Sequence, residues 1–100
     1  MASETQRTIC DWAEAIFGPV SHPSVLVDRA LVEMDELRRA VQRGDTAEAG
    51  KEAADVMILV YRLMETFSLD LHAEVTAKMT ENRARTWRPK GDGTGSHIPK

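Results

Sequence analysis

Four carboxylates stand where apolar side chains belong: Glu33 and Glu36 in EMDEL, and Glu52 and Asp55 in KEAAD. Acids three residues apart share one face of a helix. Two such pairs on facing helices make an oxygen-only donor set suited to Mg2+ or Mn2+. Spacing alone proves little. With 16 acids in 100 residues, chance supplies about two or three pairs at this spacing, and Asp11/Glu14 and Asp45/Glu48 are others. Position says more. Leu26, Ala30, Glu33, Leu37 and Ala40 advance by alternating four- and three-residue steps, so they form one seam that only Glu33 interrupts, with Glu36 beside it. Glu52, Val56, Leu59 and Leu63 form the matching seam further on, with Asp55 at its margin. Carboxylates taken from water need a partner, and gathered ones raise one another's pKa. A divalent cation or basic side chains can serve, but Arg29, Arg38 and Arg39 lie mostly off the seam. The plain alternative is a solvated acidic face with ordinary pairing one turn apart.

A seam of opposite charge follows, reading Leu71, Val75, Lys78, Asn82 and Arg85. Its polar members can face one phosphate-rich ligand. The alternative is that Lys78 snorkels from a core edge and Arg85 caps a helix end. An acidic middle and a basic end suit a ligand that needs both a metal and cationic contacts, such as a polyphosphate.

Four helices must position these groups. The first is expected from Glu4 to Phe17, capped by Ser3, with Ile9, Trp12, Ala13, Ile16 and Phe17 on its apolar stripe. Gly18, Pro19 and Pro23 end it and make a loop holding His22. The second is expected from Ser24 to Gln42, stopped by Gly44. The third opens at Asp45 or Thr46, with Glu48 completing a capping box, and reaches Phe67. Ser68 and Asp70 offer caps for a fourth that ends near Arg85. No strand is expected. Residues 1–86 read as a helical domain and 87–100 as an irregular tail rich in Gly and Pro, whose GDGTG follows no strand and opens no helix. Short links make the second and third helices an antiparallel central hairpin.

Composition bounds the function. The chain is 42% hydrophobic and 29% charged with a net charge of −3, an ordinary soluble domain. That balance argues against nucleic-acid binding. The longest apolar run, VMILVY, is far too short to span a membrane. The lone Cys10 excludes an internal disulfide framework, and nothing at the N-terminus reads as a signal peptide, so a cytoplasmic location is expected. A chain of this length buries only about two-thirds of its unfolded surface. The apolar arc from Ala49 to Phe67 on the third helix is also wider than one hairpin partner needs. Self-association is therefore expected.

The ordered set EMDEL, KEAADVMILVYRL and KMTENRARTW, together with its aliphatic run, resembles the all-α nucleoside triphosphate pyrophosphohydrolases, the MazG-like and dimeric dUTPase superfamily. The resemblance spans roughly Trp12 to His97 and implies an all-α, four-helix bundle of MazG-like type. It implies Mg2+, with Mn2+ as a substitute, held by Glu33, Glu36, Glu52 and Asp55. The implied reaction is hydrolysis of a nucleoside triphosphate to monophosphate and pyrophosphate, as in nucleotide-pool house-cleaning. Glu36, or Glu33, would activate the water, and Lys78, Asn82 and Arg85 would contact phosphates or sugar. It further implies a homodimer or homotetramer with sites near the subunit boundary. Many relatives carry an extra acid where this chain has Val32, and here Asp35 stands inside the pair instead. Trp12, Phe17, His22 and Trp87 are candidates to face the base, although Trp12 falls in the apolar stripe and reads as core, and Trp87 as an anchor for the tail. Two other classes share the fold: a non-catalytic nucleotide-binding or regulatory module, and a helical partner protein whose acidic seam meets a basic surface.

Overall fold

The computed structural model describes residues 2–99. It contains α1 (Gln6–Phe17), α2 (Pro23–Arg43), α3 (Thr46–Thr66), α4 (Leu71–Ala84), β1 (Thr86–Pro89) and β2 (Gly95–Ile98). The four expected helices are all present, and their ends differ for identifiable reasons. Thr5 rather than Ser3 caps α1. The Thr5 hydroxyl accepts from the Thr8 N–H at 3.2 Å, while the Thr8 hydroxyl accepts from the Thr5 N–H at 2.8 Å, so the helix starts at Gln6. Pro23 opens α2 because the first helical position needs no N–H donor. Gly44 stops that helix in the left-handed region at φ 72° and donates to Ala40 O and Val41 O.

Asp45 caps α3 by accepting from the Glu48 N–H at 3.0 Å. The reciprocal half of the expected capping box is not made, because the Asp45 N–H is already donated to Ala40 O. Of the two caps offered to α4, Asp70 takes the role by accepting from the Ala73 N–H at 2.8 Å. Ser68 instead turns the chain, at φ 56°.

As expected, α2 and α3 pack along their length as the central hairpin, and α1 lies against α3. Cys10, Ala13, Leu26, Ala40 and Val56 are buried between them. The seam positions behave as their phase predicts on α2 and α3: Leu26, Ala40, Glu52 and Val56 are buried, and Ala30, Glu33, Leu37, Leu59 and Leu63 are half-buried. On α1 and α4 the expectation fails. Trp12, Ile16 and Phe17 are exposed, and no residue of α4 is buried. That helix touches α3 only sparingly and projects as an arm. The radius of gyration is accordingly 16.3 Å, against about 13 Å for a globular chain of this length.

The root of the arm is clasped by Gln6. Its Nε2 donates to Leu69 O at 2.7 Å and to Glu65 Oε1 at 2.9 Å, while its Oε1 accepts from the Leu71 N–H at 2.9 Å.

The segment expected to be irregular closes into a two-stranded antiparallel hairpin that pairs Thr86 with Ile98 and Trp87 with His97. Asp92 holds its turn by accepting from both the backbone and the hydroxyl of Thr94. Gly95 is required where β2 begins, since a Cβ there would lie 2.6 Å from Arg88 O. None of the described helices is long and apolar enough to cross a membrane.

Candidate functional site

Opposite seam positions on α2 and α3 bring three acids together. Glu33, Glu36 and Glu52 each present a carboxylate oxygen, and these oxygens all lie within 4.8 Å of one another. Glu52 is the innermost, 9% exposed, and its Oε2 has no hydrogen-bond partner. Glu33 has a basic neighbour one turn away, Arg29, at 3.5 Å, whose side chain is largely in solvent. Ion pairs of that kind neutralise little. Asp55 stands one turn beyond Glu52, exposed, outside the trio but beside Glu33 on the wall of a neighbouring cavity.

Burial pushes the Glu52 carboxyl up from 4.5 to about 7. The carboxyls of Glu48, Glu33 and Glu36, with which a protonated Glu52 can share its proton, act in the same direction, as does the charge of Glu36. Glu48, half-buried one turn before Glu52, is a member of this acidic group that sequence reasoning assigned only to capping. Its spacing of four from Glu52 was the available signal.

The pH consequence has a definite sign. A carboxyl whose folded-state pKa is raised stabilises the fold fully below its unfolded value of 4.5, and that contribution is lost as pH rises through about 7. Metal-free protein is therefore expected to lose melting temperature across this window. Mg2+ should reverse the loss, because a bound cation favours the ionised carboxylate. Thermal melts with chelator and with Mg2+ at each pH check this; a flat chelated profile would contradict it.

Beside the acids opens a cavity of about 570 Å3 between α1, α2 and α3. Glu33 and Asp55 form one side, Leu26, Ile58 and Leu59 the floor, Trp12 and Phe17 an aromatic wall, and Arg29 and Arg62 its cationic edges. Trp12 meets Phe17 edge to face, with centroids 5.7 Å apart at 89°. The expectation that Trp12 is core is thus overturned: it is 57% exposed, because α1 packs chiefly on α3 and its Trp12 and Phe17 line the cavity.

The other predicted residues lie elsewhere. His22 does not line this cavity; it caps α2, with Nδ1 accepting from the Ser24 N–H at 3.2 Å. Trp87 anchors the hairpin, donating from Nε1 to Asn82 O at 2.8 Å and meeting His97 edge to face. Lys78 and Arg85 both pair with Glu81 on α4, which their charges hold below the usual carboxylate range, with the Lys78 hydrogen bond the larger cause. Asn82 keeps a buried Oδ1 without a partner. Within one chain, none of the three lines the cavity beside the acids.

Comparison with known proteins decides the family. The chain is 32% identical over 97 residues to the dATP/dGTP diphosphohydrolase of Cyanophage S-2L, covering 97% of this chain and 88% of that relative. It also superposes with a TM-score of 0.79 and 32% identity on the Cyanophage S-2L MazG-like pyrophosphohydrolase bound to dGDP and three catalytic Mn2+ ions per active site, covering 95% and 90% of the two chains. This chain is a MazG-like pyrophosphohydrolase. No family model matches it.

Membership makes it a hydrolase acting on acid anhydrides, as the resemblance of its motifs implied. In this MazG-like protein the trio fits a divalent cation on its own chemistry. The donors are all oxygens, the innermost is buried with an unpartnered oxygen, and no protein cation reaches Glu52 among the described residues. Such a set suits Mg2+ or Mn2+, which bind substrate phosphates as well as carboxylates.

Proposed function

We propose that this protein hydrolyses (deoxy)nucleoside triphosphates between the α- and β-phosphates, releasing a nucleoside monophosphate and pyrophosphate. The observation that carries the reading is the contact between the two halves of the site. The carboxylate trio borders an aromatic-walled cavity through Glu33, so a nucleotide can lay its phosphates on the acids and its base against Trp12 and Phe17. The cavity's volume falls within the usual range of about 300–1,000 Å3 for small-molecule sites. Its likeness to a dATP/dGTP diphosphohydrolase and to a structure holding dGDP and Mn2+ supports the same assignment.

Glu33, Glu36 and Glu52 would hold Mg2+ or Mn2+, with Asp55 completing the set beside them. The bound cation supplies charge neutralisation for the phosphate oxygens and an acidified water. Glu36, the most exposed of the trio, orients the attacking water and takes its proton, with Glu33 next to it. Glu52 fixes the cluster from beneath. Lys78 and Arg85 stabilise the negative charge that develops on departing pyrophosphate, and Asn82 donates to phosphate or sugar.

Since none of those three residues lines the cavity beside the acids within one chain, we place the complete site in a homodimer or homotetramer. We take residues 1–86 as the catalytic unit and 87–100 as a tail, with the hairpin running from Thr86 to Ile98 across that boundary. We assign the activity to the cytoplasm, where the buried thiol of Cys10 stays reduced, and to cleaning of the nucleotide pool.

Ion-exchange analysis of products across canonical and modified (d)NTPs with Mg2+ tests the reading. Monophosphate and pyrophosphate in equal amounts are expected; no turnover by folded protein at any metal concentration would overturn it. Trp12→Ala is expected to raise KM for every base by about 5- to 150-fold, the usual worth of one stacking platform. An unchanged KM would remove the base from this cavity.

A further inference from the structure

We propose that Arg62 is the base-reading residue of this site and selects purines bearing a 6-oxo group, of the guanine and hypoxanthine kind, over adenine. The inference rests on the cavity holding the base, as proposed above. Arg62 stands on α3 at the border between this cavity and a smaller one lined by Glu14 and Glu65, half-buried, with its guanidinium carbon 5.7 Å from the centroid of Phe17 on the base side. An arginine so placed ordinarily has an acid to answer it, and the acid one turn along α3 is Glu65. That carboxylate is committed elsewhere: Oε2 to Arg7 at 3.2 Å and Oε1 to Gln6 at 2.9 Å. Among the described residues Arg62 has neither a carboxylate partner nor a hydrogen bond. Arg29, the other cation of the cavity, is by contrast paired to Glu33 and lies on the acidic side.

A guanidinium has only donors, in a planar fork. Set over the Phe17 ring at 5.7 Å, the fork stands at the edge of an aromatic-walled space, where it lacks only acceptors. A guanine or hypoxanthine presents two neighbouring acceptors, N7 and O6, that match such a fork; adenine presents N7 beside an amino donor, which meets the fork donor to donor. Cytosine and thymine offer no N7. A bidentate contact of this type discriminates by about 5- to 150-fold, so the ratio of kcat/KM for dGTP over dATP should reach at least about fivefold.

The unmodified protein supplies the first test. With Mg2+, dITP should match dGTP within a few-fold, since it keeps both acceptors, whereas 7-deaza-dGTP, which lacks N7, should lose about tenfold. The second test is Arg62→Met, which keeps an unbranched chain over Phe17 and removes the donors. It should bring the dGTP/dATP ratio close to one and abolish the 7-deaza penalty. Arg62→Lys should restore the ratio only in part, because a point charge cannot span both acceptors. A ratio unchanged in Arg62→Met, or parent protein indifferent to the 7-deaza substitution, would overturn the assignment. If Trp12→Ala also leaves KM unchanged, the cavity itself is not the base site. If Trp12→Ala raises KM while the ratio ignores Arg62, only the reading of Arg62 fails.

Discussion

Glu52→Gln is expected to lower kcat/KM by about a thousandfold, the scale on which removal of one fixed electrostatic contact to a transition state is felt. In the same protein it should abolish the rise in melting temperature caused by Mg2+ or Mn2+. The argument starts from burial. Glu52 is the least accessible member of the trio and has an oxygen with no protein partner. Its carboxyl is pushed up to about 7 by burial and by neighbouring acids. Such a group is poorly placed to serve the fold alone, and well placed to meet a cation that the surrounding acids also face. Glutamine has nearly the same shape, and its amide can donate to Glu33 or Glu36, so the metal-free variant should melt no lower than the parent above pH 7. Stability kept while turnover and metal response vanish is the signature of a ligand rather than a packing residue. Activity within tenfold of the parent, or an intact metal shift, would show that Glu52 is only a misplaced core acid.

The second large effect concerns self-association. Val27, Leu31, Met34 and Val41 follow one outward face of α2, and all are exposed, Leu31 at 65%. Single exposed apolar residues are unremarkable, but a stripe along a helix marks a surface that another protein covers. In line with the proposal above, the expected partner is a second copy of this chain, because α4 and its C-cap carry Lys78 and Arg85 yet are left largely unpacked. Light scattering on the parent should give at least twice the 11.1 kDa of one chain. Leu31→Glu combined with Met34→Lys should shift the protein to monomer, lower its melting temperature and cost at least about fiftyfold in turnover, the order expected when charge-stabilising donors leave a site. A fully active 11.1 kDa parent, or a doubly substituted oligomer, would refute this.

The acidic site was legible in the sequence because α2 and α3 bury each other along their whole length. In that setting the phase of a residue sets its direction, and Glu33 and Glu52 in apolar slots had to face inward. The same rule misjudged Trp12 and Val75, since it assumes that every apolar stripe has a partner helix. In a short chain α1 packs chiefly on α3, α4 is packed against little, and the stripe becomes a cavity wall or an open face. Asp55 fell outside the trio for a related reason: at the seam's margin, a rotation of one step separates facing the acids from facing the cavity. His22 was read for its chemistry, when the Pro and Ser that follow it marked the start of a helix that its ring could cap. The hairpin was hidden because its glycines read as looseness. Gly91 and Gly93 instead turn the chain at positive φ, and Gly95 allows the close approach to Arg88 O.

The Gln6 clasp bears on how the molecule must move. One amide side chain at the first position of α1 is joined to the last acid of α3, to the turn after it and to the first N–H of α4. The helix that carries the aromatic wall and the arm that carries Lys78 and Arg85 thus hang from one pivot. A swing of α4 must either drag α1 with it or break the Gln6 bonds to Leu69 O and the Leu71 N–H. In mechanical terms the aromatic wall of one site and the arm proposed to serve a neighbouring subunit's site share a hinge pin.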